Sequence, residues 1–359
     1  MTRVLSVFPS FVMGGAQARF CAVANHHGRS LRHAIVAMDG NVSCRERLRE
    51  GLDVSFPAVE VRAGDWLGNL RRFGAVLRDM RPDVLLTHNF GSIEWALAHR
   101  LPGGARRHVH AEDGFGPEER DRQLPRRVWL RRLALRRATV ALPSRVLMRL
   151  AQTVWRLDDR RLRYVPNGVD LARFASGRTG APPWVLQGDG PVVGTVAALR
   201  AEKNIARLIR AAAMVPAVRL VIVGDGPERA ALTALAGSLG VAARVVFTGH
   251  MADPAAAYGH MDIFALSSDT EQMPLSVLEA MAAGLPIAAT DVGDVREMVA
   301  TENRPFVVER DDAVLAGVLG RLVADGGLRR RIGAANRAKV AQVYDQTAMF
   351  AAWGDLVAV

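Results

Sequence analysis

The sequence predicts an α/β chain of two doubly wound domains, each a parallel sheet with helices on both faces, facing each other across a cleft. Three observations carry this prediction. A length of 359 residues exceeds one ordinary core and suits two. Short β-branched runs alternate with longer amphipathic stretches, the pattern of parallel sheets. A glycine- and proline-rich stretch without a period lies between Pro166 and Pro191 and divides the alternation into halves.

The elements follow in order. Val4–Phe8, His33–Met38, Val84–Thr87, Arg107–His110 and Thr139–Leu142 read as strands of the first half. Val192–Ala197, Leu220–Val223, Val245–Thr248, Ile263–Leu266 and Pro286–Thr290 read as those of the second. Between them, Ile205, Leu208, Ile209 and Ala212 keep the i, i+3, i+4, i+7 spacing of an amphipathic helix. The break holds Gly177, Gly180, Pro182, Pro183, Gly188 and Gly190. The predicted division is a first domain over 1–166, a linker over 167–191, a second domain over 192–340 and a C-terminal helix over 341–359.

Composition narrows the function classes. Half of the residues are hydrophobic, so a core is available throughout and disorder is not expected. The formal charge of +11 is carried by arginine, since Lys203 and Lys339 are the only lysines. Genomic base composition explains such a bias better than function does, so charge alone is a weak clue. Nucleic-acid binding fits the charge, but aromatic residues are few and no stacking motif is visible. Cys21 and Cys44 have no metal or redox spacing and read as free thiols of a reducing compartment. No apolar run approaches the roughly 18 residues of a membrane span. A strand starting at Arg3 leaves no room for a secretory leader. The expectation is a cytoplasmic protein, or one peripheral on the inner face of the membrane.

Ligands of open parallel sheets bind at the carboxyl ends of the strands, and the unusual residues gather there. Gly14 and Gly15 follow the first strand, His88 and Asn89 the third, and His110 to Gly114 the fourth. Arg200 to Asn204, Gly224 to Pro227 and Ser267 to Pro274 follow strands of the second half. Neither lysine sits in the Gly-Lys-Ser/Thr context of a Walker loop, and Gly224-Asp225-Gly226-Pro227 lacks the third glycine of a dinucleotide fingerprint. A tight strand-to-helix turn accounts for those four residues equally well.

The segment from Glu271 to Ala282 is the strongest constellation. Its two glutamates lie eight apart, and Pro274 suits the first turn of a helix. Leu275, Leu278 and Ala282 form the inward stripe, and Glu279 stands about 40° from Leu275 at its border. A carboxylate there is costly unless something satisfies it; a structural salt bridge is the competing explanation. Glu271 precedes the helix, whose free N–H groups favour an anion. Lys203, three residues after Arg200, gives a point charge beside a fork, suited to a diphosphate unless both are merely solvated.

These pieces, in this order, resemble glycosyltransferase family 4, the retaining GT-B enzymes with two Rossmann-like domains. The resemblance rests on Met13-Gly14-Gly15-Ala16-Gln17, on Val165-Pro166-Asn167-Gly168-Val169-Asp170 with Phe174, on Glu202-Lys203-Asn204, on Gly224-Asp225-Gly226-Pro227, on Phe247-Thr248-Gly249, and on the Glu271–Glu279 block running to Pro286. It covers almost the whole chain. It implies that Glu279 holds the ribose of a donor nucleotide. Glu271 would hold hydroxyls of the transferred sugar, helped by backbone N–H groups of Gln272, Met273, Pro274 and Leu275. Of these four, Pro274 has no N–H to give. Lys203 with an arginine would stabilise the departing diphosphate, which Gly14, Gly15, Gly224 and Gly226 would let the backbone approach. Gln17, His88 and Asn89 would face the acceptor. Neither metal nor cofactor is implied. The C-terminal helix would cross back onto the first domain.

Two positions depart from the family pattern. The arginine commonly found before the lysine is Ala198 here, leaving Arg200 as its substitute. The histidine common at the end of the fourth strand is replaced by Asp113, so that either Asp113 or His110 would face the sugar, unless His110 is a satisfied strand histidine. Arg120, Arg122, Arg126, Arg127, Arg131, Arg132, Arg136 and Arg137, interleaved with Leu124, Val128, Trp129, Leu130, Leu133 and Leu135, read as a basic amphipathic helix suited to an anionic membrane and a lipid-linked acceptor, or as an ordinary arginine-rich surface helix. A nucleotide-sugar 2-epimerase or a phosphorylase on the same architecture, and a non-catalytic sugar-nucleotide sensor, are the rival readings.

Overall fold

A computed structural model describes residues 1–115, 117–119, 122–175 and 180–358; Arg120, Gly177 and Val359 lie outside the described residues. The chain divides into two units, Met1–Asn167 with Thr347–Val359, and Gly168–Gln346.

The first unit is a seven-stranded parallel sheet. Its strands are β1 (Thr2–Phe8), β2 (Leu31–Ala37), β3 (Val54–Ser55), β4 (Val84–His88), β5 (Arg107–Ala111), β6 (Thr139–Leu142) and β7 (Leu162–Tyr164), in the order β3-β2-β1-β4-β5-β6-β7. The register pairs Val4 with both His33 and Val84. β1 and β4 are buried on both faces, which is why they read as unbroken apolar runs. Phe8, Phe11 and Phe20 pack on one face with Met349, Phe350 and Trp353 of the Gln346–Val357 helix. Cys21 and Cys44 are free and buried, with Sγ atoms 3.8 Å apart.

The second unit is a six-stranded parallel sheet. Its strands are β8 (Val192–Val196), β9 (Arg219–Val223), β10 (Val245–Gly249), β11 (Ile263–Leu266), β12 (Ile287–Thr290) and β13 (Val307–Val308), in the order β10-β9-β8-β11-β12-β13. Both sheets are doubly wound. The strand order reverses between β1 and β4 in one and between β8 and β11 in the other, and loops leaving these strands flank the crevice that such a reversal opens.

The predicted linker is largely part of the second unit. Phe174 and Trp184 are buried in its core with Tyr258 and Phe264. Asp170 caps the short Leu171–Phe174 helix by accepting from the Arg173 N–H. The glycines and prolines marked turns, and the aromatic residues among them supplied the packing. Gly168 lets two chain segments pass: a Cβ there would lie 2.6 Å from Gln346 Cα, and the Val169 N–H donates to Tyr344 O at 2.9 Å. No helix among the described residues is long and apolar enough to cross a membrane.

Candidate active site

In the second unit, the segment leaving β8 turns through Ala201–Lys203, and the segment leaving β11 runs from Ser267 into the Leu275–Ala282 helix. Lys203 Nζ lies 2.6 Å from Glu271 Oε1, and Ser268 Oγ donates to the same oxygen at 2.8 Å. Both members of the ion pair keep some exposure, 26% for Lys203 and 11% for Glu271. Behind them, Asn204 Nδ2 donates to Asp269 at 3.1 Å, Arg207 Nη1 donates to Asp269 at 2.8 Å, and the Asp269 N–H donates to Glu202 O at 2.8 Å. Asn204 has φ of 42°, a conformation asparagine tolerates, and its side chain caps the following helix at the Arg207 N–H. The two loops are thus fixed to each other by a buried network.

The helix begins at Leu275, with Pro274 as the extended cap residue rather than a residue of the first turn. Met273 and Pro274 are buried, whereas Gln272 and Leu275 are partly exposed. Gly293, with φ of 54°, fits under this segment, because a Cβ would meet the backbone oxygens of Glu271 and Gln272. One turn on, Glu279 Oε2 accepts a 2.6 Å hydrogen bond from the Tyr258 hydroxyl, and this is the side chain's one hydrogen bond among the described residues. Burial holds the Glu279 carboxyl above its usual range, against the lowering effects of Tyr258 and Arg173. The Tyr258 hydroxyl is pushed well above its ordinary value by burial and by the neighbouring Glu279. Among the described residues, neither glutamate pairs with an arginine.

Gly224 and Gly226 shape the neighbouring turn. A Cβ on Gly224, whose φ is 138°, would strike Ala197 O, and one on Gly226 would meet Leu199 O. The tight-turn explanation therefore accounts for both residues in full. Arg200 is exposed and its side chain has no hydrogen-bonding partner among the described residues; Ala198 is also exposed. The structure brings Lys203 and Glu271 together and leaves Arg200 apart from them.

In the first unit, Gly14 is the extended residue before the Gly15–His27 helix, and both glycines are exposed. Gln17 Nε2 donates to Ser10 O at 2.8 Å, so this side chain braces the glycine loop. Asn89 adopts φ 56° and ψ 172°, close to a region that glycine alone populates readily. Its Oδ1 accepts from the Asp113 N–H at 2.7 Å, and its own N–H donates to Ala111 O at 2.8 Å. Asp113 forms a two-pronged pair with Arg19, Nη2 to Oδ2 at 2.9 Å, and Arg19 Nη1 also donates to Asn167 Oδ1 at 3.0 Å. Arg19 lies over the Trp353 ring at 5.0 Å.

The histidines do not reach a surface. His110 is fully buried, with Nδ1 2.9 Å from Thr87 Oγ1 and Nε2 3.4 Å from Glu112. It is the satisfied strand histidine of the second reading. His88 is buried and stacked on Phe8 at 3.8 Å, and burial, with Arg19 and His110 nearby, holds its imidazole well below the usual value.

The arginine-rich segment forms the Pro125–Leu135 helix, with Arg131 inside. Arg131 bonds Glu112 at 3.1 Å and Glu119 at 3.0 Å, ringed by Phe90, Phe115 and Trp155. Burial alone would raise Glu112; Arg131 and His110 hold it below its usual value. Arg127 pairs with Glu118 and Glu119, and Arg132 donates to Val154 O. The exposed part of the segment is Arg122, Arg126, Trp129, Arg136 and Arg137.

Sequence reasoning missed Tyr258 and Arg19, and marked Ser268 and Asp269 only as part of the Ser267–Pro274 cluster. Tyr258 is one of only three tyrosines, a weak cue; Arg19 carries no local signal.

Residues 13–173 match Glycosyltransferase Family 4, and residues 181–339 match Glycosyl transferases group 1. The chain is 31% identical over 298 residues to the 2-deoxystreptamine N-acetyl-D-glucosaminyltransferase of Streptomyces fradiae, covering 75% of this chain and 70% of that one. It is 36% identical over 185 residues to the GDP-mannose-dependent alpha-mannosyltransferase of Mycolicibacterium smegmatis, covering 48% of this chain and less than half, 45%, of the relative. Among solved structures, Anabaena Alr3699/HepE in complex with UDP-glucose superposes with a TM-score of 0.81 at 20% identity, covering 99% of each chain. That likeness establishes the fold, two Rossmann-like α/β domains of the GT-B type.

Proposed function

The chain belongs to glycosyltransferase family 4, and from that premise we propose that it moves a hexose-type sugar from a nucleotide-diphosphate sugar to a glycan or lipid-linked acceptor, with retention of configuration and without a metal, in cell-surface polysaccharide synthesis. The observation that carries this reading is the Glu271–Glu279 element. Glu279 has one oxygen held by Tyr258, and among the described residues no hydrogen bond holds the other. A partly buried carboxylate held in this way suits the paired hydroxyls of a ribose. Glu271, oriented by Lys203 and Ser268, suits hydroxyls of the transferred sugar. Lys203 would neutralise the charge that grows on the departing diphosphate, together with the start of the Leu275–Ala282 helix.

Transfer occurs on the front face, without an enzyme nucleophile. On the acceptor side, Asn89, Asp113 and the Gly14–Gly15 turn occupy the crevice of the first sheet. The exposed Trp129 with Arg126 and Arg136 suits an anionic membrane surface at the inner face, where a lipid-linked acceptor resides.

The test begins with a thermal-shift panel of nucleoside diphosphates and their sugars, since a ligand at 100 times its Kd stabilises by about 2.7 kcal/mol. The stabilising donor is then incubated with lipid-diphosphate acceptors with and without a chelator, and the anomeric configuration of the product is read by NMR. Retention at an unchanged rate in chelator is expected. An inverted product, or conversion of donor without acceptor, overturns the reading.

A further inference from the structure

A second basic site lies in the first unit, at the edge of the sheet opposite to the one described above. It is a cavity of about 290 Å³ at the amino ends of β5 and β6. That is roughly ten water volumes at about 30 Å³ each, near the lower limit of small-molecule pockets, about 300 Å³. Arg100, Arg106, Arg107, Arg137 and Arg161 line it. Its floor includes His99 and His108, whose rings lie 5.2 Å apart.

No ion pair among the described residues compensates the charge around this cavity. Among the described residues, none of the five arginines has a carboxylate within ion-pair distance of 4.0 Å. Arginines elsewhere in the chain do pair, Arg19 with Asp113, Arg131 with Glu112 and Glu119, Arg207 with Asp269. Three of the five are held in place by backbone oxygens. Arg100 Nη1 donates to Leu133 O at 2.9 Å, Arg161 Nη1 to Arg137 O at 2.8 Å, and Arg107 Nη1 to the carbonyls of Asp355, Leu356 and Ala358. These bonds fix the side chains without neutralising them. Arg106 and Arg137 donate to no protein acceptor among the described residues. Asp83 feels Arg106 through space, but it is bonded to the Arg3 N–H at 2.9 Å. On the floor, the buried His99 Nδ1 has no partner, and His108 Nε2 lies 2.8 Å from Thr87 Oγ1. Burial lowers the His99 imidazole, and burial with His99 and His110 holds His108 well below its usual value. Burial and the nearby Arg136 and Arg137 likewise lower the Arg100 guanidinium.

Like charges held together repel, and an anion with several acceptor oxygens relieves the repulsion while accepting planar guanidinium forks. We infer that the Arg100–Arg106–Arg107–Arg137–Arg161 cavity is a phosphate-binding site, separate from the sugar-transfer site, that takes a phosphomonoester or diphosphate group. Its volume admits a diphosphate or a phosphorylated headgroup. Free phosphate compounds and membrane phospholipids share this chemistry, and the experiment separates them.

Pyrophosphate is titrated by calorimetry into the full-length chain and into an Arg106→Ala/Arg137→Ala variant. Both positions are exposed and their side chains bond to nothing in the protein, so the fold should survive; equal melting temperatures without ligand check this. Pyrophosphate entering the sugar-transfer site contributes equally to both titrations. The expected result is a binding event at this cavity weakened at least about tenfold in the variant, the loss of charge-assisted hydrogen bonds, with nucleoside-diphosphate affinity unchanged. A variant that loses donor affinity instead would count against the separateness of the site. Independently, pyrophosphate should protect Arg106 and Arg137 of the unaltered protein from phenylglyoxal, read by peptide mass spectrometry.

Flotation with phosphatidylcholine vesicles, with and without phosphatidic acid, forms the second arm. If the variant loses both pyrophosphate and phosphatidic acid, the ligand is a lipid phosphate. If it loses pyrophosphate alone, the ligand is soluble. Unchanged binding in both arms, or no protection of the two arginines, overturns the inference.

Discussion

Replacing Glu279 by glutamine separates what this side chain does for the fold from what it does for the donor. Its carboxyl is held above the usual range because burial outweighs the help of Tyr258 and Arg173. For a group whose folded pKa is raised, stability is greatest below the unfolded pKa and is lost as pH rises through the folded one. Ionised Glu279 is therefore a cost to the fold, and the neutral amide, which keeps an oxygen for the Tyr258 hydroxyl, removes it. The variant should be more stable than the parent at pH 7, and the difference should shrink as pH falls through the raised pKa and the parent becomes neutral too. Donor binding should move the other way. Hydrogen bonds to a charged group contribute about 1.5–3 kcal/mol and neutral ones about 1, so two ribose hydroxyls lose about 2 kcal/mol in total, roughly thirtyfold in Kd. Urea melts across pH measure the first effect, and calorimetry with the nucleoside diphosphate measures the second. A glutamine variant less stable than the parent at pH 7 would refute the account of burial, and unchanged affinity would remove Glu279 from the donor site.

Three further outcomes are expected. Lys203→Ala should lower kcat by about a hundredfold, the scale seen when one transition-state donor is removed, and should change KM much less, because charge on the leaving group grows in the transition state; steady-state kinetics on the preferred donor checks the split. Arg131→Ala leaves Glu112 and Glu119 buried without their cation and should cost about 3–5 kcal/mol by denaturant melts, much of it restored when all three residues are replaced by apolar ones of similar size. Both Asn89→Gly and Asn89→Ala lose the bond to the Asp113 N–H, but alanine must also adopt φ near 56°, so it should be less stable than glycine by about 1 kcal/mol in the same melts.

Legibility in the sequence followed length and locality. Central strands such as Val84–His88 and Ile263–Leu266 announced themselves, because burial on both faces demands an apolar run. Val54–Ser55, Leu162–Tyr164 and Val307–Val308 did not, being sheet-edge strands of two or three residues, too short to show a period. Loops at the carboxyl edges could be found because topology alone puts ligand chemistry there. The partners within them could not: Tyr258 is 21 residues from Glu279, Asn204 is 65 from Asp269, and Arg19 is 94 from Asp113. Glycines carried two meanings that spacing does not separate. Gly224 and Gly226 permit backbones to touch, whereas Gly14 and Gly15 leave a helix start uncovered.

The first unit is discontinuous in sequence, since Met349, Phe350 and Trp353 fill a core otherwise made from residues before Asn167. On the ribosome, that core stays incomplete while the whole of Gly168–Gln346 is translated. The later-synthesised unit is contiguous, so it can close within itself first, inverting the usual N-to-C order of domain maturation. Aromatic faces of Phe8 and Phe20 await the Gln346–Val357 helix, and a ribosome stalled just before that segment would release a chain with one finished half and one sticky one.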